Sequence, residues 1–194
     1  MTKQQAPCGT WTSPITASSV AAGATPLASL VLDGADLYWL EGRASEAGRS
    51  TLVGSRGELT PAPFNVRSKV HEYGGGAVTV VDGVAWFSNH ADSRLYRVEP
   101  GAQPAPVTAE DNKQRYADFV VDARRRRLVA VREDHSAGSH TPENTIAAIG
   151  FDGVETVLVD GNDFYAAPRI SPDGRHLAWL CWDHPRMPWQ GTEL

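Results

Sequence analysis

Short apolar runs alternate with turn residues along most of the chain, and four successive units show the same order of runs and turns. In the first unit an apolar run at 28–32 meets the turn Asp33-Gly34, and further runs follow at 37–40 and 50–53. Asp82-Gly83 and Asp173-Gly174 hold the same place in two later units. Asp-Gly between β-rich runs is typical of hairpins, because glycine adopts positive φ without steric cost. The pattern therefore predicts short antiparallel strands.

The units recur every 40 to 50 residues or so, which is the length of a four-stranded propeller blade. We therefore predict an all-β fold, an incomplete β-propeller of about four blades built from four-stranded antiparallel sheets. A β-sandwich also has many short strands, but a regular unit with a tight turn and an aromatic residue favours radial repetition. The predicted organisation is an N-terminal segment at 1–26 and a partial propeller at 27–194, with blades near 27–60, 73–108, 116–161 and 165–194, the last one incomplete.

Charge and hydropathy narrow the classes of partner. The formal net charge is −5, whereas nucleic acids and anionic lipids are held by clustered Lys and Arg. The one basic run, Arg124 to Arg127, is interpreted as a solvated hairpin tip. No apolar run approaches a bilayer span, and residues 1–14 lack the apolar core of a secretory signal. We expect a cytoplasmic protein with no nucleic-acid and no membrane partner.

Cysteine and histidine spacing argues against a metal or a cofactor. The two cysteines, Cys8 and Cys181, form neither a disulfide scaffold nor a ligand pair. The six histidines match no known ligand spacing such as His-Glu-x-x-His. We therefore predict no metal and no cofactor.

Several longer strings are more specific than the repeat. They lie at 37–43, 66–76, 132–135, 163–169 and 182–189, and the densest of them reads Val-Arg-Ser-Lys-Val-His-Glu-Tyr-Gly-Gly-Gly. Together they resemble the N-terminal part of the propeller in serine peptidases of the prolyl oligopeptidase family, of the bacterial dipeptidyl aminopeptidase or acylaminoacyl peptidase-like kind. The resemblance implies a peptidase parent in which a C-terminal α/β-hydrolase domain with a Ser, Asp and His triad follows the propeller.

A hydrolase domain of that kind carries its nucleophile in a Gly-x-Ser-x-Gly turn. The sequence contains no such string. We therefore predict that the catalytic α/β-hydrolase domain is absent from this chain, that the chain holds no catalytic residue, and that it is inactive alone. Its expected partners are that hydrolase domain, which the propeller would dock, and short peptides, whose access to the active site it would control. The alternative is a non-enzymatic propeller that serves as a protein-interaction module.

His71-Glu72-Tyr73, followed by three glycines, is the strongest candidate for substrate binding. The Glu72 carboxylate could pair with the N-terminal ammonium of a peptide. The structural alternative is that the glycines allow unusual backbone angles while His71 and Tyr73 fasten blades together. Arg132 and Glu133, at the end of a predicted second strand, could line a channel mouth or contact the hydrolase domain, or they could form only a local ion-pair network.

Overall fold

The computed structural model describes residues 5–10, 12–110, 113–138 and 141–194. A short helix, α1 (Ala17–Ala22), precedes four antiparallel sheets whose strands follow one another in chain order. The first two sheets comprise β1 (Leu27–Asp33), β2 (Asp36–Arg43), β3 (Arg49–Gly54) and β4 (Gly57–Glu58), then β5 (Val78–Val81), β6 (Val84–Ser88), β7 (Leu95–Val98) and β8 (Ala105–Pro106). The other two comprise β9 (Gln114–Asp122), β10 (Arg127–Asp134), β11 (Glu143–Gly150) and β12 (Glu155–Val159), then β13 (Phe164–Ile170) and β14 (Leu177–Trp182).

The four sheets are arranged as propeller blades. Their first strands pack against one another in succession, β1 against β5, β5 against β9 and β9 against β13. Apolar cores fill the spaces between neighbouring sheets, centred on Phe87, Leu128 and Tyr165, each of which is fully buried. The predicted all-β fold, an incomplete propeller-like domain, is confirmed.

The fourth sheet is smaller than the other three. Beyond its two strands, Glu193 exchanges two backbone hydrogen bonds with Cys181, at N···O distances of 3.0 and 2.9 Å. Residues 183–192 form the turns that lead from β14 to this bridge. Cys181 itself is buried, as a small hydrophobic residue in a strand should be.

Asp118 joins three blades through its backbone and its carboxylate. Its amide donates to the Gly76 carbonyl at 2.7 Å, and its Oδ1 accepts from the Gly76 amide at 2.6 Å. Its Oδ2 accepts from the Ala167 amide at 2.9 Å. Asp118 has a φ of +57° and lies where the register of β9 against β10 shifts, so this irregularity places the carboxylate between neighbouring first strands.

One end of the sheets, which we call the hairpin side, consists of the tight turns at 33–36, 82–83, 123–126 and 171–174. Asp33 accepts hydrogen bonds from the amides of Asp82 and Gly83, at 3.1 and 2.6 Å. Arg124 and Arg125 donate to the carbonyls of the turn in the fourth sheet, at 2.6 and 3.0 Å. The interpretation of the arginine run as a solvated hairpin tip is therefore incomplete, because two of its arginines bind carbonyls of the next blade.

No helix in the described ranges is long and apolar enough to span a membrane.

Candidate functional site

The other end of the sheets, which we call the loop side, carries the segment 66–76 that connects the first blade to the second. The segment is anchored along its length, since the Val66 amide donates to the Ser50 carbonyl at 2.8 Å and Ser68 Oγ donates to the Tyr116 carbonyl at 2.7 Å. The His71 amide then donates to Glu133 Oε1 at 2.6 Å. The candidate residues His71, Glu72 and Tyr73 are thereby held against the third blade.

The backbone of this segment departs from the sequence-based expectation. His71 and Glu72 themselves adopt positive φ, +55° and +64°, a region that non-glycine residues rarely occupy. Only Gly74 of the three glycines has a left-handed φ, +91°. Gly75 and Gly76 are required for space, because a Cβ would lie 2.9 Å from the Ala117 Cβ or the Asp118 Oδ1 respectively.

Glu72 and Glu133 share a single guanidinium. Arg115 Nη1 lies 2.6 Å from Glu72 Oε1 and 3.7 Å from Glu133 Oε2, and it also donates to the Lys69 carbonyl at 3.2 Å. His135 Nε2 lies 3.2 Å from Glu133 Oε2. The two carboxylates differ in exposure, since the Glu72 side chain is 83% exposed and that of Glu133 is 3% exposed.

The Glu72 carboxylate is poised to remain ionised. The hydrogen bond and the charge of Arg115 lower its pKa below the ordinary range for glutamate. Because the side chain extends into solvent and only Oε1 bonds to Arg115, the carboxylate is open to a cationic ligand. An ammonium is the natural counterpart of such a group.

The His71 ring is part of an aromatic cluster that joins the segment 66–76 to the fourth blade. Its centroid lies 5.7 Å from that of Tyr73, 5.4 Å from Phe164 and 5.6 Å from Trp182, and Phe164 stacks on Trp182 at 5.4 Å. Burial lowers the pKa of the His71 imidazole, and the charges of Glu133 and Asp118 oppose that shift only in part. The neutral imidazole thus packs as an aromatic ring.

A cavity of about 230 Å³ opens beside this cluster. Its lining includes the rings of His71, Tyr73 and Trp182, the backbone of two of the glycines, and residues of the third and fourth blades, among them Asp118, Tyr165 and Leu180. Most of the lining is apolar, and the charged network of Glu72 and Arg115 lies along the same segment of chain.

The structure brings together four of the five candidate residues and separates the fifth. His71, Glu72, Tyr73 and Glu133 lie on the loop side in one neighbourhood. Arg132 instead faces Glu155, at 3.4 Å between Nη1 and Oε2, because successive side chains of a strand point to opposite faces of the sheet. It belongs to a separate ion-pair network with Asp134, at 3.8 Å.

Two residues of the site were missed by sequence reasoning. Asp118 leaves a recognisable signal, since it is a charged residue within the otherwise apolar run Tyr116 to Val121. Arg115 leaves none, because its partner Glu72 is 43 residues away. Within the described part of the chain, no group of three or more His, Cys, Asp or Glu side chains is arranged to hold a metal ion.

The described residues form a partial β-propeller with an acidic and aromatic candidate site on one end. Solved structures with the same fold are peptidases. A puromycin-hydrolysing peptidase of Mycobacterium tuberculosis is 39% identical with a TM-score of 0.87, and the match covers 98% of this chain and 33% of that one. Two structures of puromycin hydrolase, one a serine-to-alanine mutant complexed with PGG, are 37% and 36% identical, with TM-scores of 0.89 and 0.88.

No family model matches the chain, and no curated protein sequence matches it. The solved structures nevertheless cover nearly all of it at 36–39% identity. The chain matches the N-terminal propeller part of these peptidases, which are members of the prolyl oligopeptidase family. It spans about a third of the length of the structures that it matches.

Proposed function

We propose that this chain is the propeller part of a cytoplasmic peptidase, in which an α/β-hydrolase domain of the same polypeptide hydrolyses peptide bonds. The observation that carries the proposal is the match to known peptidases over 97–98% of the chain. The absence of a Gly-x-Ser-x-Gly string from the sequence agrees with it. A nucleophile with its base and oxyanion donors would then lie in the other domain.

The propeller in this proposal has two tasks. It restricts access, because a rigid ring of blades admits short peptides and excludes folded proteins without any covalent chemistry. It also docks the hydrolase domain. We assign substrate contact to the loop side, where the exposed carboxylate of Glu72, the Arg115 guanidinium and the aromatic cluster lie together.

Glu72 has a specific role in this proposal, the capture of the N-terminal ammonium of the peptide. Arg115 fixes its orientation at 2.6 Å and lowers its pKa, while the side chain remains 83% exposed.

The test is a kinetic comparison in the peptidase that contains this chain. Glu72→Gln should raise KM for aminoacyl p-nitroanilides about 10- to 100-fold, the loss expected for one charge-assisted hydrogen bond. Glu99→Gln is the matched control, because Glu99 is also exposed and also pairs with an arginine, Arg97, at 2.6 Å. An unchanged KM in Glu72→Gln would overturn the assignment of the amine site.

A second measurement separates the peptidase from the interaction module. The chain alone should not hydrolyse aminoacyl or dipeptidyl chromogenic substrates, and a coding sequence that continues into Gly-x-Ser-x-Gly, Asp and His supports the peptidase. A stop codon after Leu194, together with a stable chain that binds a protein partner, favours the module instead.

A further inference from the structure

The cavity beside the aromatic cluster has the size of a side-chain subsite. At about 230 Å³ it exceeds the roughly 150 Å³ at which an apolar cavity already binds benzene. Tyr73, Leu180 and Trp182 give it a mostly apolar wall, and the two oxygens of the one carboxylate in the lining, Asp118, already accept amide hydrogen bonds. Such a wall suits an aromatic or large aliphatic group rather than a charged one.

The cavity is kept open by features that prevent its collapse. Gly75 contributes only backbone to the wall, and a side chain there would collide with Ala117 at 2.9 Å. The His71 ring is braced edge-on against Phe164 and Trp182, at 5.4 and 5.6 Å. Tyr165 is fully buried, and its hydroxyl accepts from the Asn162 amide at 2.9 Å. These contacts fix the rings that form the wall.

The cavity lies beside the segment of chain that carries the carboxylate assigned to the peptide amine. In the chain Glu72 stands between His71 and Tyr73, and both of these neighbours line the cavity. In a peptide, the ammonium and the side chain of the first residue are attached to the same Cα, so their two subsites must be adjacent. This juxtaposition links the charged site to the apolar one.

We propose that the cavity receives the aromatic or large aliphatic side chain of the N-terminal residue of a peptide whose ammonium pairs with Glu72. The pairing with Glu72 rests on the proposed function, whereas the selection of the side chain is additional to it. The propeller would thereby contribute to specificity as well as to the control of access.

The test is calorimetric binding to the 194-residue chain of three probes: phenylalaninamide, glycinamide and N-acetylphenylalaninamide. Phenylalaninamide should bind at least 10-fold more tightly than either of the others, because each of the others lacks one of the two recognised groups. Thr192→Phe, at an exposed position that lines the cavity, should fill it and remove the preference over glycinamide. Thr156→Phe, exposed on β12, is the matched control.

A second variant, Tyr73→Ala, enlarges the mouth of the cavity and keeps the test valid if Thr192→Phe does not fold. Tyr73 is 64% exposed, so Tyr73→Ala should leave the urea midpoint of the chain within error while weakening phenylalaninamide binding several-fold. Equal binding of phenylalaninamide and glycinamide, with both weakened by Glu72→Gln, would overturn the cavity proposal and leave the amine site standing.

Failure of the amine site would give a different set of results. If N-acetylphenylalaninamide binds as tightly as phenylalaninamide and Glu72→Gln has no effect, the amine site fails and the pairing proposed here fails with it. A preference for phenylalaninamide over glycinamide that Thr192→Phe abolishes supports the cavity. Absence of binding by all three probes overturns it.

Discussion

The hairpin side and the loop side fasten neighbouring blades with the same chemistry, a carboxylate that accepts backbone N–H groups, but to different extents. Asp33 on the hairpin side binds two successive amides of one turn. Asp118 binds amides of two different blades, and Glu133, almost fully buried, holds the strained loop through His71. The hairpin side therefore joins blades in pairs, whereas contacts towards the loop side join three of them.

The two ends also differ in how far their conformations depend on long-range contacts. The hairpin side is made of short turns whose conformations follow from local residues. The loop side combines a charged network with an apolar cavity. A binding site built there depends on long-range contacts, so its integrity should respond to substitutions that hardly affect the hairpins.

The largest effect should come from Asp118→Ala. The substitution removes acceptors from the Gly76 and Ala167 amides and places alanine at φ +57°, which should lower the free energy of unfolding by about 3 kcal/mol. Urea unfolding measures it. Asp118→Asn, which tolerates positive φ and keeps one acceptor, should lose about half as much. The exposed Asp160→Ala is the control, and an equal loss in both alanine variants would contradict the bridging role.

Glu133→Ala should have the next largest effect. It leaves the His71 amide without its acceptor and removes the buried carboxylate that pairs with Arg115, at a cost of about 2 kcal/mol. We also expect it to loosen the loop at 66–76, which amide hydrogen exchange would detect as lost protection at His71. Glu143→Ala, exposed at the start of β11, should change neither quantity. Retained protection at His71 would show that the aromatic contacts suffice to hold the loop.

Asp33→Ala tests the hairpin side. Loss of the bonds to the Asp82 and Gly83 amides should reduce the free energy of unfolding by about 1 kcal/mol, since water can replace the lost acceptor at this exposed turn. Ligand binding on the loop side should be unaffected, as expected for distant sites. A loss as large as that of Asp118→Ala would contradict the distinction between the two ends.

The smallest effect should appear as a dependence of stability on pH. Because burial lowers the pKa of His71 in the folded chain, the unfolded chain binds more protons at and below about pH 6.5. Stability is then complete above that pH and declines as the pH falls towards 5. His90 has its pKa lowered by burial as well, so urea midpoints at pH 7.5 and 5.5 should be compared for His71→Gln and His90→Gln. A slope unchanged in both variants would contradict the assignment to these imidazoles.

Much of the fold followed from the sequence. The Asp-Gly turns and the apolar runs predicted most strands of the four sheets, because turn type and strand propensity depend on residues a few positions apart. The two-residue strands β4 and β8 were not located. The short helix Ala17–Ala22 was not predicted; Thr16 and Ser19 cap it in a reciprocal arrangement that the apolar pattern does not reveal. The separation of Arg132 from Glu133 could have been predicted from strand alternation.

The sequence by itself determined the order of turns and strands, the likeness to a peptidase propeller and the candidate segment at His71 to Tyr73. Only the tertiary structure decided which groups meet there. Arg115 reaches Glu72 across 43 residues, and Asp118 reaches Gly76 and Ala167 across 42 and 49. Contacts between blades join residues about one repeat apart, where no local propensity acts, so they are set by how the sheets pack together.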